Sequence, residues 1–238
     1  YLTDDDNEST FQKINTLKEK GFPVISIELN DKLDLGAEYY RWEIATAIAG
    51  KMIGINPFDE PNVAEGKKNT NDLLQQWQST GSFNIKKPSW KNDAITIYGN
   101  THAVASSSLK EFIQSFIGQA KSNDYIALLA YLEETDIRTA LLQSERMQLR
   151  DTLKIATTIG YGPRYLHSTG QLHKGGPDTG LYIIITADDA KDIDIPGEAF
   201  SFGILHQAQS LGDFRSLTDK GRRVIYIQLG KNTDENLE

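Results

Sequence analysis

Stretches in which apolar residues recur every three or four positions alternate, along this chain, with short runs that are apolar almost throughout. The first pattern sets one face of an α-helix against a core; the second marks a strand covered on both faces. Phe11, Ile14 and Leu17 predict a helix over 10–21 that Gly21 stops, and Val24, Ile25, Ile27 and Leu29 predict a strand over 23–29. A second helix over 35–53 has Tyr39, Trp42, Ile44, Ala45, Ile48, Ala49 and Met52 as its expected core positions. Pro57 and Pro61 break the pattern, because proline lacks an N–H and pushes its predecessor toward extended backbone. A helix over 62–77 follows and carries Lys67 and Lys68, and the polar stretch 79–92 reads as a long connection.

From there the alternation becomes regular. Strands are expected over 94–98, 125–132, 163–167, 181–186 and 224–229. Helices are expected from Ser108 to about 121, over 135–160 as one long or two joined helices, and over 202–220. Strand–helix alternation of this kind predicts an α/β fold, a three-layer sandwich with a mainly parallel sheet. The long connection divides the chain into expected domains at 1–80 and 81–238.

Composition narrows the class. The 238 residues are 39% hydrophobic and 24% charged, as in an ordinary globular protein. With no cysteine there is no disulfide framework, zinc–thiolate site or thiol nucleophile, and a cytoplasmic location is expected. A net charge of −8 argues against a nucleic-acid partner, and no apolar run or signal peptide points to a membrane. The first residue is Tyr1, ahead of the acidic run Asp4-Asp5-Asp6-Asn7-Glu8, so the chain is expected to be part of a longer polypeptide.

The densest chemistry lies between Arg164 and Pro177. His167, Ser168, Thr169, Gln171, His173 and Lys174 precede Gly175-Gly176-Pro177. Imidazole titrates near neutrality, while hydroxyls, amides and glycine N–H groups hold phosphate oxygens. The segment precedes the strand at 181–186, so a strand-end loop is its expected place. His167 is the stronger candidate; His173 stands evenly between a site and a structural role. Lys67, just after the rigid Asn56–Pro61 bend, could aim an ammonium at an anion, but on the residues alone a solvated helix lysine is the preferred account. Ser106-Ser107-Ser108 reads as a helix cap before a phosphate cradle, His102 and His206 as loop and surface residues, and Arg222-Arg223 as a solvated turn. Two histidines without a third ligand do not make a metal site.

Two segments carry a family resemblance. Gly54-Ile55-Asn56-Pro57-Phe58-Asp59-Glu60-Pro61-Asn62-Val63, followed by Lys67-Lys68-Asn69, resembles the C-terminal signature of glucose-6-phosphate isomerases. Leu166-His167-Ser168-Thr169-Gly170-Gln171 resembles the segment that carries their ring-opening histidine. The longer run from Gly162 to Pro177, with Ile195-Pro196-Gly197, Phe202-Gly203 and Leu211-Gly212-Asp213, resembles the isomerase end of bacterial transaldolase/glucose-6-phosphate isomerase fusions.

The resemblance implies a sugar-isomerase (SIS)-type sandwich, with the end of one such domain in 1–80 and a second SIS-like domain in 81–238. It implies cofactor-free interconversion of glucose 6-phosphate and fructose 6-phosphate. His167 would move the ring-opening proton, assisted by Lys67; Ser168, Thr169, Gln171, His173, Lys174 and Glu60 would line the substrate site. A phosphosugar, upstream domains of the same polypeptide and a second copy are the implied partners. The chain departs from the family in three ways. No residue is identified as the base for the C1/C2 proton, Glu60 stands where the family has glutamine, and the histidine segment follows the lysine segment. Those departures leave a non-catalytic phosphosugar-binding module as the alternative.

Overall fold

The structure, a computed structural model, describes residues 8–85, 87–99, 108–189, 191–230 and 233–237. His102, Ser106, Ser107 and residues 4–7 of the acidic run lie outside them. The chain forms two compact units, residues 1–59 and 60–238. The division falls at Asp59/Glu60 and not at the expected 80/81, because the helix that begins at Pro61 packs into the second unit.

In the first unit, α1 (Glu8–Glu19) and α2 (Asp34–Ile53) are joined by residues that form no ladder, so the expected strand over 23–29 is absent. Its Ile25 is 84% exposed. Of the core positions expected on α2, Tyr39, Trp42, Ile44, Ile48 and Met52 are exposed, and Gly50 is the buried residue of the helix. The turn after α2 explains Gly50: a Cβ there would lie 2.7 Å from Cδ of Pro57. Gly54 closes the helix at φ 76°, a left-handed conformation that glycine adopts without strain.

The second unit is built on a six-stranded sheet. Its elements are α3 (Pro61–Thr80), β1 (Trp90–Lys91), β2 (Ile95–Gly99), α4 (Leu109–Ile117), β3 (Tyr125–Tyr131), α5 (Asp136–Leu153), β4 (Ala156–Tyr161), α6 (Gly170–Gly175), β5 (Gly180–Ala187), α7 (Phe202–Asp219), β6 (Arg223–Leu229) and α8 (Thr233–Leu237). The strand order is β1-β2-β6-β5-β3-β4. Strands β6, β5, β3 and β4 are mutually parallel, and β1 and β2 add an antiparallel edge.

Side chains alternate across this sheet, as its pleat requires, and feed two cores. Ile126, Leu128, Leu181, Ile183 and Ile225 meet Phe112 and Phe116 of α4 and Leu142 of α5. On the other face, Leu129, Tyr131, Tyr182, Ile184 and Tyr226 meet Leu73 and Leu74 of α3 and Ala208, Leu211 and Leu217 of α7. This is the three-layer α/β sandwich that the alternation implied.

Two local readings change. The stretch expected to be helical through 160 ends at Lys154, which turns left-handed at φ 57°, and β4 follows. Ile155, Thr157, Thr158 and Ile159 are β-branched and favour the strand. The strand expected at 163–167 is instead a 3-10 turn, Arg164–His167, and α6 follows it.

Candidate functional site

Helix α3 starts with proline at its first turn, where the missing N–H costs nothing, and the Glu60 carbonyl accepts the Val63 and Ala64 N–H groups at 3.0 and 3.4 Å. The Glu60 side chain is exposed. Asn62 is buried and ties α3 to α6: its backbone N–H donates to Gln171 Oε1 at 3.2 Å, and Gln171 Nε2 donates to Asn62 Oδ1 at 2.8 Å. Lys67 is exposed and has no ion pair among the described residues, whereas Lys68 pairs with Asp72 at 3.2 Å.

The segment from Arg164 to Pro177 starts at the carboxyl end of β4 and runs to the amino ends of β3 and β5. Tyr165 is buried and donates its hydroxyl to the Asp213 carboxylate on α7; Arg164 pairs with Glu134 after β3. His167, Ser168 and Thr169 are exposed. The Ser168 hydroxyl donates to the Tyr165 carbonyl at 3.2 Å, and the His167 ring has no hydrogen-bond partner among the described residues. No hydrogen bond or ion pair among those residues joins His167 to Lys67.

Helix α6 turns its far end into the core. His173 is 2% exposed and Lys174 4%. Nδ1 of His173 is 2.9 Å from the Tyr125 hydroxyl, which is 2.8 Å from that of Tyr182; the Tyr182 hydroxyl donates to the His173 carbonyl at 3.1 Å. Burial, with the Lys174 ammonium adding to it and Asp213 opposing, pushes the His173 pKa down to about 4, so the ring is neutral near pH 7. The Lys174 Nζ is 2.6 Å from Asp213 Oδ1, an ionic contact without the alignment of a good hydrogen bond. Burial and the Asp213 charge push the Tyr165 hydroxyl well above its ordinary value. His173 and Lys174 were expected to face substrate; both side chains are instead buried, with Nδ1 of His173 on Tyr125 and the Lys174 ammonium on Asp213.

Arg222 and Arg223 also leave the role of a solvated turn. Arg222 donates to the carbonyls of Lys174 and Gly176 at 2.9 and 2.6 Å, closing the C-terminal end of α6. Arg223 pairs with Asp124 at 2.7 Å. Beside Asn62, Glu65 accepts from its amide at 3.1 Å and pairs with Lys220 at 2.9 Å. Burial opposes ionisation of Glu65, but these two partners outweigh it and lower its pKa.

Asn62 and Asp213 appeared in the sequence only as parts of the resembling segments, with no role of their own. Asp213 left a signal: it lies three residues from Ser210 and four from Leu217, on the small and apolar face of α7. A carboxylate there needs a buried partner.

The sheet offers a crevice of its own. After β3 the chain turns to α5 on one face, and after β5 to α7 on the other, so the adjacent carboxyl ends of β3 and β5 are a topological switch point. A cavity of about 290 Å³ lies there, lined in part by Glu133, Asp188, Asp189, Asp234 and Glu235. Its cation, Arg138, is bound to Asp234 at 2.6 Å. Such a wall repels phosphate. The segment with His167 and His173 does not line it.

Comparison with known proteins gives a partial likeness. No protein-family model matches the chain. A stretch of 58 residues is 41% identical to glucose-6-phosphate isomerase of Lactobacillus helveticus (strain DPC 4571), covering 24% of this chain and 13% of that one. A stretch of 62 residues is 36% identical to the probable glucose-6-phosphate isomerase of Methanococcus maripaludis, covering 25% and 14%. One of 51 residues is 43% identical to the enzyme of Shouchella clausii, covering 21% and 11%. The chain therefore carries a region like glucose-6-phosphate isomerase and matches a small fraction of the length of those relatives. None of the three stretches can hold both Lys67 and His167, which lie farther apart in the sequence. Among solved structures, a hypothetical protein from Thermus thermophilus aligns with a TM-score of 0.48 and 18% identity, over 57% of this chain and 37% of that chain.

Proposed function

We propose that this chain is part of an enzyme that interconverts glucose 6-phosphate and fructose 6-phosphate, and that Lys67 and His167 are the groups it presents to the phosphosugar. The observation that carries the reading is the likeness of 58 residues, at 41% identity, to a glucose-6-phosphate isomerase. The two side chains have what such a role requires. An exposed ammonium without a carboxylate partner can take a phosphate or a ring oxygen. An exposed imidazole without a protein hydrogen bond can carry a proton between O5 and O1 during ring opening. Ser168 and Thr169, exposed beside it, can add hydroxyl contacts, and Glu60 lies at the start of the lysine helix. In this reading Gln171 serves by fastening α6 to α3, so that the two segments keep a fixed relation. The sandwich would be of the sugar-isomerase type, and upstream domains or a second copy would complete the site. The proton transfer between C1 and C2 needs a base that this chain does not identify.

A second reading has its own observation. His173 and Lys174 are engaged in the core and not at the surface, so residues 81–238 would serve as a non-catalytic module that binds a phosphosugar to regulate or stabilise a fused enzyme.

Turnover separates the two. In the polypeptide that carries this chain, His167→Ala and Lys67→Ala are expected to lower kcat/KM for fructose 6-phosphate by roughly 100-fold or more, the scale of a lost general acid–base group or phosphate contact. Full activity in both variants would end the catalytic reading. Phosphosugar binding without turnover in the parent would establish the second.

A further inference from the structure

A mainly apolar cavity in the second unit lies away from His167, Lys67 and the acidic crevice. It occupies about 510 Å³ between α3, α7, the end of β2 and the connection before β1. That is the size of an ordinary small-molecule site. Leu73, Leu211 and Ile85 supply aliphatic wall, and Phe214 and Tyr98 supply rings. One buried residue holds both rings: Tyr226 lies 5.4 Å from Phe214 and 6.2 Å from Tyr98, centroid to centroid. Its hydroxyl is 2.9 Å from that of Ser210, which anchors it in turn. The aromatic surface is therefore preorganised.

The polar groups at this cavity are mostly unengaged. The Tyr98 hydroxyl has no partner among the described residues, and burial keeps it protonated. Lys87 has no ion pair there. Arg215 makes a loose contact with Asp219, 3.9 Å away, with both side chains more than half exposed. Two cations thus face one carboxylate, in a protein whose net charge is −8. A phosphosugar does not fit such walls, because its hydroxyls would face Leu73, Ile85, Leu211 and Phe214 without partners.

We infer that this cavity binds a small planar aromatic ligand bearing an anionic group, with the ring against Phe214 and Tyr98 and the anion toward Lys87 and Arg215. The site is separate from the proposed isomerase surface and stands or falls independently of it.

The probes are 2-naphthoate and its neutral analogue 2-naphthamide, titrated into the 238-residue chain by calorimetry. The acid is expected to bind at least ~10-fold more tightly than the amide, the scale of one charge-assisted contact. The double variant Lys87→Glu/Arg215→Glu, at exposed positions, should remove that preference and leave amide binding within about 2-fold. Gln76→Trp, which fills the cavity from α3, should weaken both ligands by ~10-fold or more. Equal binding of acid and amide, a preference that survives charge reversal, or binding that survives Gln76→Trp would overturn the inference. So would no binding of either probe below roughly 1 mM, a weak-ligand limit, or displacement of naphthoate by fructose 6-phosphate.

Discussion

Replacing Lys174 by methionine removes the ammonium that lies 2.6 Å from Asp213 and leaves the carboxylate where it was, 2% exposed. Burying an ion is costly, and an opposite charge offsets that cost only while both are present. Truncating one partner of such a pair costs about 3–5 kcal/mol. For a chain of this size each kcal/mol moves the melting temperature by about 2–4 °C, so the variant should melt roughly 6–20 °C below the parent. The second variant, Lys174→Met/Asp213→Leu, removes both charges and leaves an apolar pair of similar bulk. Its remaining deficit is the Tyr165 hydroxyl, which loses the Asp213 acceptor and keeps only Tyr131 at 3.5 Å; that costs about 1–2 kcal/mol. The double variant is therefore expected to be more stable than the single one by about 1–4 kcal/mol. Urea unfolding of all three proteins measures this, with equal slopes confirming a common unfolded state. A single variant within about 1 kcal/mol of the parent, or a double variant no better than the single, would show that the pair does not carry the energy assigned to it.

Two further expectations concern the same region. The His173 pKa is about 4 in the folded chain against 6.5 ordinarily, so between those values the unfolded state binds a proton that the folded state does not. Stability should then fall as pH drops through that window, by up to about 3 kcal/mol, and His173→Asn should flatten the dependence measured by urea unfolding at about pH 4, 5, 6 and 7. Gln171→Ala removes both hydrogen bonds to Asn62 and leaves a buried amide short of partners, so it should destabilise by about 1–3 kcal/mol in the same assay.

Much of the sandwich is written in the apolar pattern. Tyr125–Tyr131 and Gly180–Ala187 are strands covered on both faces, and a nearly unbroken apolar run is how such strands read. Strand β4 was hidden because its residues, Ala156–Tyr161, are only partly covered, and a helix of 18 residues leads into it. The apolar residues of α2 misled in the opposite way. Trp42 and Met52 have helical spacing, but spacing says only that a face exists, not that this chain covers it. The site shows the same division. Gln171 was legible as a polar group in a dense cluster, yet its partner Asn62 is more than a hundred residues earlier, and only folding brings them together. His173 and Lys174 looked like ligand-binding groups because their residue types are chemically active. Nothing local revealed that Tyr125, Tyr182 and Asp213, from three other elements, would surround them.

The claim beneath the functional reading is that the exposed surface with Lys67 and His167 meets a phosphosugar. Calorimetric titration of fructose 6-phosphate into the polypeptide that carries this chain, with the parent and with Lys67→Ala, tests it most directly. The predicted result is saturable binding that Lys67→Ala weakens by roughly 10- to 100-fold, as expected for loss of a charge-assisted phosphate contact of about 1.5–3 kcal/mol, while the unfolding midpoint stays put. Binding of equal strength in the variant, or no binding by the parent, would contradict it.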